Sequence, residues 1–115
     1  AEEMVLGVLQ AILPERLPTQ TQLLANYPNP FNPETWIPFE LSQDSQVSIT
    51  IYDVQGQLTR QLELGMVTAG RYISADQAAY WDGKTETGEA VASGTYFYQL
   101  QAGNYIKTRK MVILK

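Results

Sequence analysis

The carboxylates that follow Trp81 are the first residues in this chain that could do chemistry. Asp82, Glu86 and Glu89 could gather oxygen ligands for a hard cation such as calcium. Their spacing does not supply oxygens at positions 1, 3, 5 and 12 of a calcium loop. The motif Trp81-Asp82-Gly83-Lys84 therefore reads as a turn, with Trp81 in the core and Asp82-Gly83 reversing the chain. Glu86 with Glu89, or Asp76 with Tyr80, would be the acid–base pairs. Such pairs need a cleft and displaced pKa values, and a small sandwich offers little cleft. The 115 residues include no histidine and no cysteine, which removes the commonest general base, thiolate nucleophiles, disulfides and the usual transition-metal ligands. The expectation is a protein that is not an enzyme and carries no cofactor or metal.

The cations are placed differently. Lys107, Arg109, Lys110 and Lys115 are four of the eight basic residues and fall in the last nine positions. On a terminal strand, lysine blocks unwanted edge-to-edge pairing. The net charge of −4 and pI near 4.6 leave no basic face for nucleic acid. Tyr96, Phe97, Tyr98 and Tyr105 alternate across the last hairpin. Base stacking is at odds with the charge, so Tyr96 and Tyr98 are read as core, with Phe97 on the opposite face. Carbohydrate binding by a sandwich face has only the aromatic content behind it.

The elements that must position these residues are legible from periodicity. Glu2–Leu13 has helical spacing, with Met4, Val5, Val8, Leu9 and Ile12 forming an apolar stripe. Pro14 ends it, and a polar linker runs over Thr19–Gln22. Glu2 and Glu3 stand where a signal peptide would be positive. A helix of about 12 residues is marginal alone in water, so this one needs the β domain, an upstream domain or a second subunit as partner. No apolar run reaches the 18 residues of a membrane-spanning helix.

Next comes Tyr27-Pro28-Asn29-Pro30-Phe31-Asn32-Pro33. Three alternate prolines fix three φ angles, remove three donors and push their predecessors towards extended geometry. The segment reads as a stiff, extended entry, with Tyr27 and Phe31 capping one end of the core. From Thr35 the period is two. Ile37, Phe39 and Leu41 alternate with Trp36, Pro38 and Glu40, and Pro38 marks an edge strand. Val47–Tyr52 follows, then a turn at Asp53–Gly56, a strand over Leu58–Leu64 closed by Gly65, and short strands at Gly70–Ala75 and Ala79–Trp81. Gly94–Ala102 places Tyr96, Tyr98 and Leu100 on one face. Gly103-Asn104 is a hairpin turn, and Tyr105–Leu114 returns. Seven short antiparallel strands with regular turns describe an all-β sandwich.

Five motifs now stand in order: Leu24–Pro33, Val47–Gly56, Tyr80–Lys84 followed by Gly88, Ala92–Tyr98 with Gly94, and Lys110–Lys115. Together they resemble a type A C-terminal sorting domain of the type IX secretion system. They are also similar to the immunoglobulin-like domain of the flagellar hook-capping protein. The resemblance covers Leu23–Lys115, dividing the chain into an apolar N-terminal helix and linker (1–22) and a sandwich domain (23–115). It implies a seven-stranded immunoglobulin-like sandwich preceded by a short α-helix. It also implies an address on an exported passenger, read by outer-membrane secretion machinery and ending outside the cell or on its surface by way of the periplasm. It assigns recognition by the translocon to the end bearing Lys107, Arg109, Lys110 and Lys115. The competing expectation is a structural subunit of a surface assembly, joined through Met4, Val5, Val8, Leu9 and Ile12 or by strand addition at an edge.

Overall fold

Alternating side chains produce strands here almost throughout. The computed structural model describes residues 17–115; the helix expected over Glu2–Leu13 lies outside them. Nine strands are present among the described residues: β1 (Gln22–Leu23), β2 (Thr35–Ile37), β3 (Phe39–Leu41), β4 (Ser45–Tyr52), β5 (Leu58–Val67), β6 (Gly70–Tyr72), β7 (Ala79–Trp81), β8 (Gly94–Ala102) and β9 (Tyr105–Ile113). One layer is a four-stranded sheet in the order β5-β4-β8-β9. The other consists of β1-β3-β6 beside the pair β2-β7. Every strand pair is antiparallel.

The strand count exceeds the expected seven for two reasons. Gln22, the last residue of the expected linker, pairs with Glu40, and Leu23 beside it pairs with Phe39. The run Thr35–Leu41 also divides at Pro38, which has no N–H to give a ladder. Its two halves join different sheets, so the proline marks a corner where the chain changes sheets rather than an edge strand. The Pro38 carbonyl accepts the Leu24 N–H at 3.0 Å. Gly65 does not close its strand either. With φ of +75° it sits where the register between β4 and β5 slips, and β5 continues through this bulge to Val67.

The inner faces meet in one core. Val47, Ile49 and Ile51 of β4 lie under Ile37, Phe39 and Leu41, together with Tyr96, Tyr98 and Leu100 of β8 and Met111 and Ile113 of β9. Full burial of such side chains contributes about 1.5–3 kcal/mol each. Trp81, completely buried, links the layers: its ring centroid is 5.6 Å from Phe31 and 6.0 Å from Tyr96.

Tyr98 ties the domain's first residues to its middle strand. Its hydroxyl donates to the Leu24 carbonyl and accepts the Asn26 N–H, both at 2.9 Å. Burial pushes its pKa above the ordinary tyrosine value, against smaller opposing effects of the Asn26 bond and Arg109. The raised pKa means the folded state keeps this proton longer than the unfolded chain does. Its contribution is therefore complete below about pH 10 and is lost as pH rises through the folded pKa. Tyr98→Phe is expected to lower stability near neutrality by about 1 kcal/mol and to flatten the alkaline decline. Urea midpoints measured between pH 7 and pH 11 check this.

Candidate functional site

The last hairpin carries the basic residues, and its register decides where they point. Gly103-Asn104 joins Ala102 to Tyr105, and β9 then pairs Lys107 with Leu100, Arg109 with Tyr98 and Lys110 with Phe97. Directly opposed residues share a face. Lys107 and Arg109 thus lie on the core side, at its exposed rim beside β1, while Lys110 lies on the outer face. All four cations are exposed, but they do not form one cluster. Arg109 Nη1 reaches the Leu23 carbonyl at 3.4 Å. The Lys115 N–H donates to Ser93 Oγ at 2.9 Å.

β9 is an outer strand of its sheet, and its free edge is half covered. The Phe31 N–H donates to the Val112 carbonyl, and the Leu114 N–H to the Phe31 carbonyl, both at 3.0 Å. The Val112 N–H donates to Asn29 Oδ1 at 3.0 Å. The ladder alternates, so Ile106, Thr108 and Lys110 turn their backbone groups to the same side as Val112. Among the described residues that stretch is an open edge.

The proline segment therefore seals the end of the last strand rather than standing away from it. It bends at Pro28–Pro30 and at Asn32–Pro33 instead of running extended. The two bends drop Phe31 into the core, 2% exposed. Tyr27 does not cap the core; it bridges Trp36 on the outer side, with reciprocal backbone bonds of 2.9 and 2.8 Å. Pro33 meets Gly83 of the Trp81-Asp82-Gly83 turn, where a Cβ would lie 2.1 Å from the Pro33 oxygen. Three sequence-distant motifs thus form one seam. Alternation could not reveal it, because each contact joins residues far apart in the chain.

The carboxylates are engaged within the fold. Asp82 Oδ1 accepts Arg60 Nη1 at 2.9 Å and the Lys84 N–H at 3.0 Å. The Gln61 N–H donates to Glu86, the Thr87 hydroxyl to Glu89, and the Ser74 hydroxyl to Asp76. Glu86 and Glu89 line an open groove of about 510 Å³ with Thr59, Thr85 and Thr87.

One arrangement escaped the sequence reading. Tyr27, Trp36 and Tyr80 sit side by side on the outer face of β2 and β7, with centroids 6.2 and 5.6 Å apart. The available signal was strand phase: Trp36 and Tyr80 alternate with residues that are buried.

The FlgD Ig-like domain family matches residues 31–105. Among solved structures the chain is similar to dimeric latent PorU from Porphyromonas gingivalis, with TM-score 0.63 and 18% identity over 80% of this chain and 9% of that one. It is similar also to PorZ, described as an essential surface component of the type IX secretion system of P. gingivalis, with TM-score 0.55 and 21% identity over 79% and 11%. FlgD from P. aeruginosa follows, with TM-score 0.49 and 28% identity over 64% and 54%. The chain spans about a tenth of the length of the first two, and at these identities the likeness establishes an immunoglobulin-like fold. No curated protein matches the chain.

Proposed function

We propose that this chain, which belongs to the FlgD Ig-like domain family, acts as a non-catalytic C-terminal sorting module. It would direct an exported protein across the outer membrane to the cell surface through type IX secretion machinery. The observation that carries this reading is the seam. Three of the five ordered motifs interlock at one end, while among the described residues the basic stretch of β9 is left as an open edge. The fold shared with PorU and PorZ supports it. In this reading Lys107, Arg109, Lys110 and Lys115 face the machinery, and the Tyr27–Pro33 segment with Trp81-Asp82-Gly83 keeps that strand in place.

The experiment is a reporter fused to residues 23–115 in a host possessing this secretion system. The intact tail is expected to bring the reporter to the surface. Lys107→Glu, Arg109→Glu and Lys110→Glu together are expected to cut surface reporter at least about tenfold with the domain still folded, since these side chains are exposed and like charges set opposite one another across an interface that matched a basic edge cost several kcal/mol. A reporter held in the periplasm by the intact tail would overturn the proposal. Surface display by the reversed tail would place recognition elsewhere.

A second reading draws on the same open edge: a subunit of a surface assembly that adds a neighbour's strand at Ile106, Thr108 and Lys110. The reporter separates the two, because assembly alone gives no export.

A further inference from the structure

The two edges of the four-stranded sheet are finished differently. On β5 the Glu86 N–H donates to the Thr59 carbonyl at 3.2 Å, the Gln61 N–H donates to the Glu86 carboxylate, and the register slips at the Gly65 bulge. A covering loop and a bulge are usual ways of keeping another strand off an edge. On β9 such cover is present where Asn29 and Phe31 meet Val112 and Leu114. Among the described residues the stretch 106–110 has none, and every residue in it is exposed. Ile106, Thr108 and Lys110 turn their N–H and carbonyl groups outward there.

The charges on this stretch decide what can pair with it. Lys107 and Arg109 stand two residues apart on the core side, with Lys110 on the outer face. The ion pairs Arg60–Asp82 and Arg71–Glu40 use other cations, so among the described residues these three meet no carboxylate. Arg109 gives one N–H to the Leu23 carbonyl at 3.4 Å, and a guanidinium has five. A second copy of β9 does not suit the edge. Antiparallel pairing of two β9 strands about Thr108 sets Lys107 opposite Arg109 twice. A slip of two residues one way sets Lys107 opposite Lys107, and the other way Arg109 opposite Arg109. Like charges directly opposed destabilise a sheet.

We propose that the open stretch of β9 receives an extended acidic segment of a partner protein as a fifth strand, with carboxylates at positions i and i+2 facing Lys107 and Arg109. Side chains two apart in a strand share a face at about 6.8 Å, the same repeat that separates the two cations. The added strand runs antiparallel, as every strand pair in the domain does. Backbone bonds to Ile106, Thr108 and Lys110 supply affinity, and the alternate carboxylates supply choice of partner. The inference rests on reading this stretch as the contact surface, which both functional readings share. It adds the backbone pairing and the partner's charge pattern.

The test follows fluorescein-labelled peptides by anisotropy with the full chain. One peptide alternates glutamate with valine. A second has the same composition with its glutamates grouped at one end. A third is the alternating peptide with its valine amides N-methylated, which blocks the bonds to β9. A fourth copies residues 105–111. The alternating peptide is expected to bind at least about fivefold tighter than the grouped one, and N-methylation to cost at least about tenfold. The copy of β9 should stay free. Lys107→Glu with Arg109→Glu should reverse the preference, towards a peptide alternating lysine with valine. That gain of binding also reports a folded domain. The proposal is overturned if no peptide binds, if grouping or N-methylation changes nothing, if the β9 copy binds as well as the alternating peptide, or if the double variant keeps the acidic preference. A reporter that reaches the surface beside a failed peptide would leave the sorting reading standing and sink this inference. A bound peptide beside a reporter held in the periplasm would uphold the inference and remove the sorting reading.

Discussion

Gly83→Ala is expected to cost the domain about 2–5 kcal/mol, a large share of the roughly 5–15 kcal/mol that holds a domain of this size folded. Gly83 has φ of +77°, and the new Cβ would lie 2.1 Å from the Pro33 oxygen and 3.2 Å from its carbonyl carbon. These are backbone atoms and cannot swing aside. A left-handed conformation alone costs a side chain about 1–2 kcal/mol, and forcing packed backbone apart adds about 1–3 kcal/mol. Moving residue 83 would also disturb the bond from the Val91 N–H to its carbonyl, now 3.0 Å. Gly56→Ala is the matched control. It has a similar φ of +81° but open space around the Cβ, so it should lose only about 1–2 kcal/mol. Urea titrations of the two variants make the comparison. Equal midpoints would show that the contact between the proline segment and the turn contributes nothing.

Trp81→Ala should be as severe. The indole is fully buried between Phe31 and Tyr96, and its N–H donates to the Lys84 carbonyl at 2.9 Å. Truncating a buried aromatic to alanine costs about 3–5 kcal/mol through lost burial and the cavity left behind. For a domain near 100 residues that lowers Tm by on the order of 20 °C. Trp81→Phe, which keeps a ring in the site but loses the N–H bond, should give a smaller fall. Calorimetry of both variants is the check, and a fall of only a degree or two in Trp81→Ala would remove this side chain from the centre of the core. Both substitutions strike the same end of the sandwich, so the sorting proposal carries a corollary: each should also impair export by loosening β9 where Phe31 holds it.

Much of the strand pattern was legible because a half-buried strand must alternate. Val47, Ile49 and Ile51 were read as one buried face, as were Tyr96, Tyr98 and Leu100, and all six are buried. The hairpin at Gly103-Asn104 was legible for a local reason, since two turn residues fix the pairing of Ala102 with Tyr105. Pro38 and Gly65 were misread for a common reason. Both types interrupt a regular ladder, yet whether the chain then ends, bulges or crosses to another sheet depends on which neighbour accepts it. Pro38 sends the chain to a second sheet, and Gly65 lets β5 run on past a bulge. The basic residues Lys107, Arg109, Lys110 and Lys115 are close in sequence, but closeness in sequence does not make one surface. In a strand, neighbours point to opposite faces, and so Lys110 is separated from Lys107 and Arg109.

By itself, then, the sequence determined the class of the fold and its inner faces, because burial periodicity and turn chemistry are local properties of the chain. Its residue types alone also leave histidine- and cysteine-based chemistry without a residue to perform it. Only the tertiary structure decided what the motifs are for one another. It set the proline segment against the last strand, put Pro33 on Gly83, and lined up Tyr27, Trp36 and Tyr80 across three segments. The physical reason is that such contacts join residues tens of positions apart, and their geometry depends on how two sheets stack and twist, a quantity no local pattern encodes.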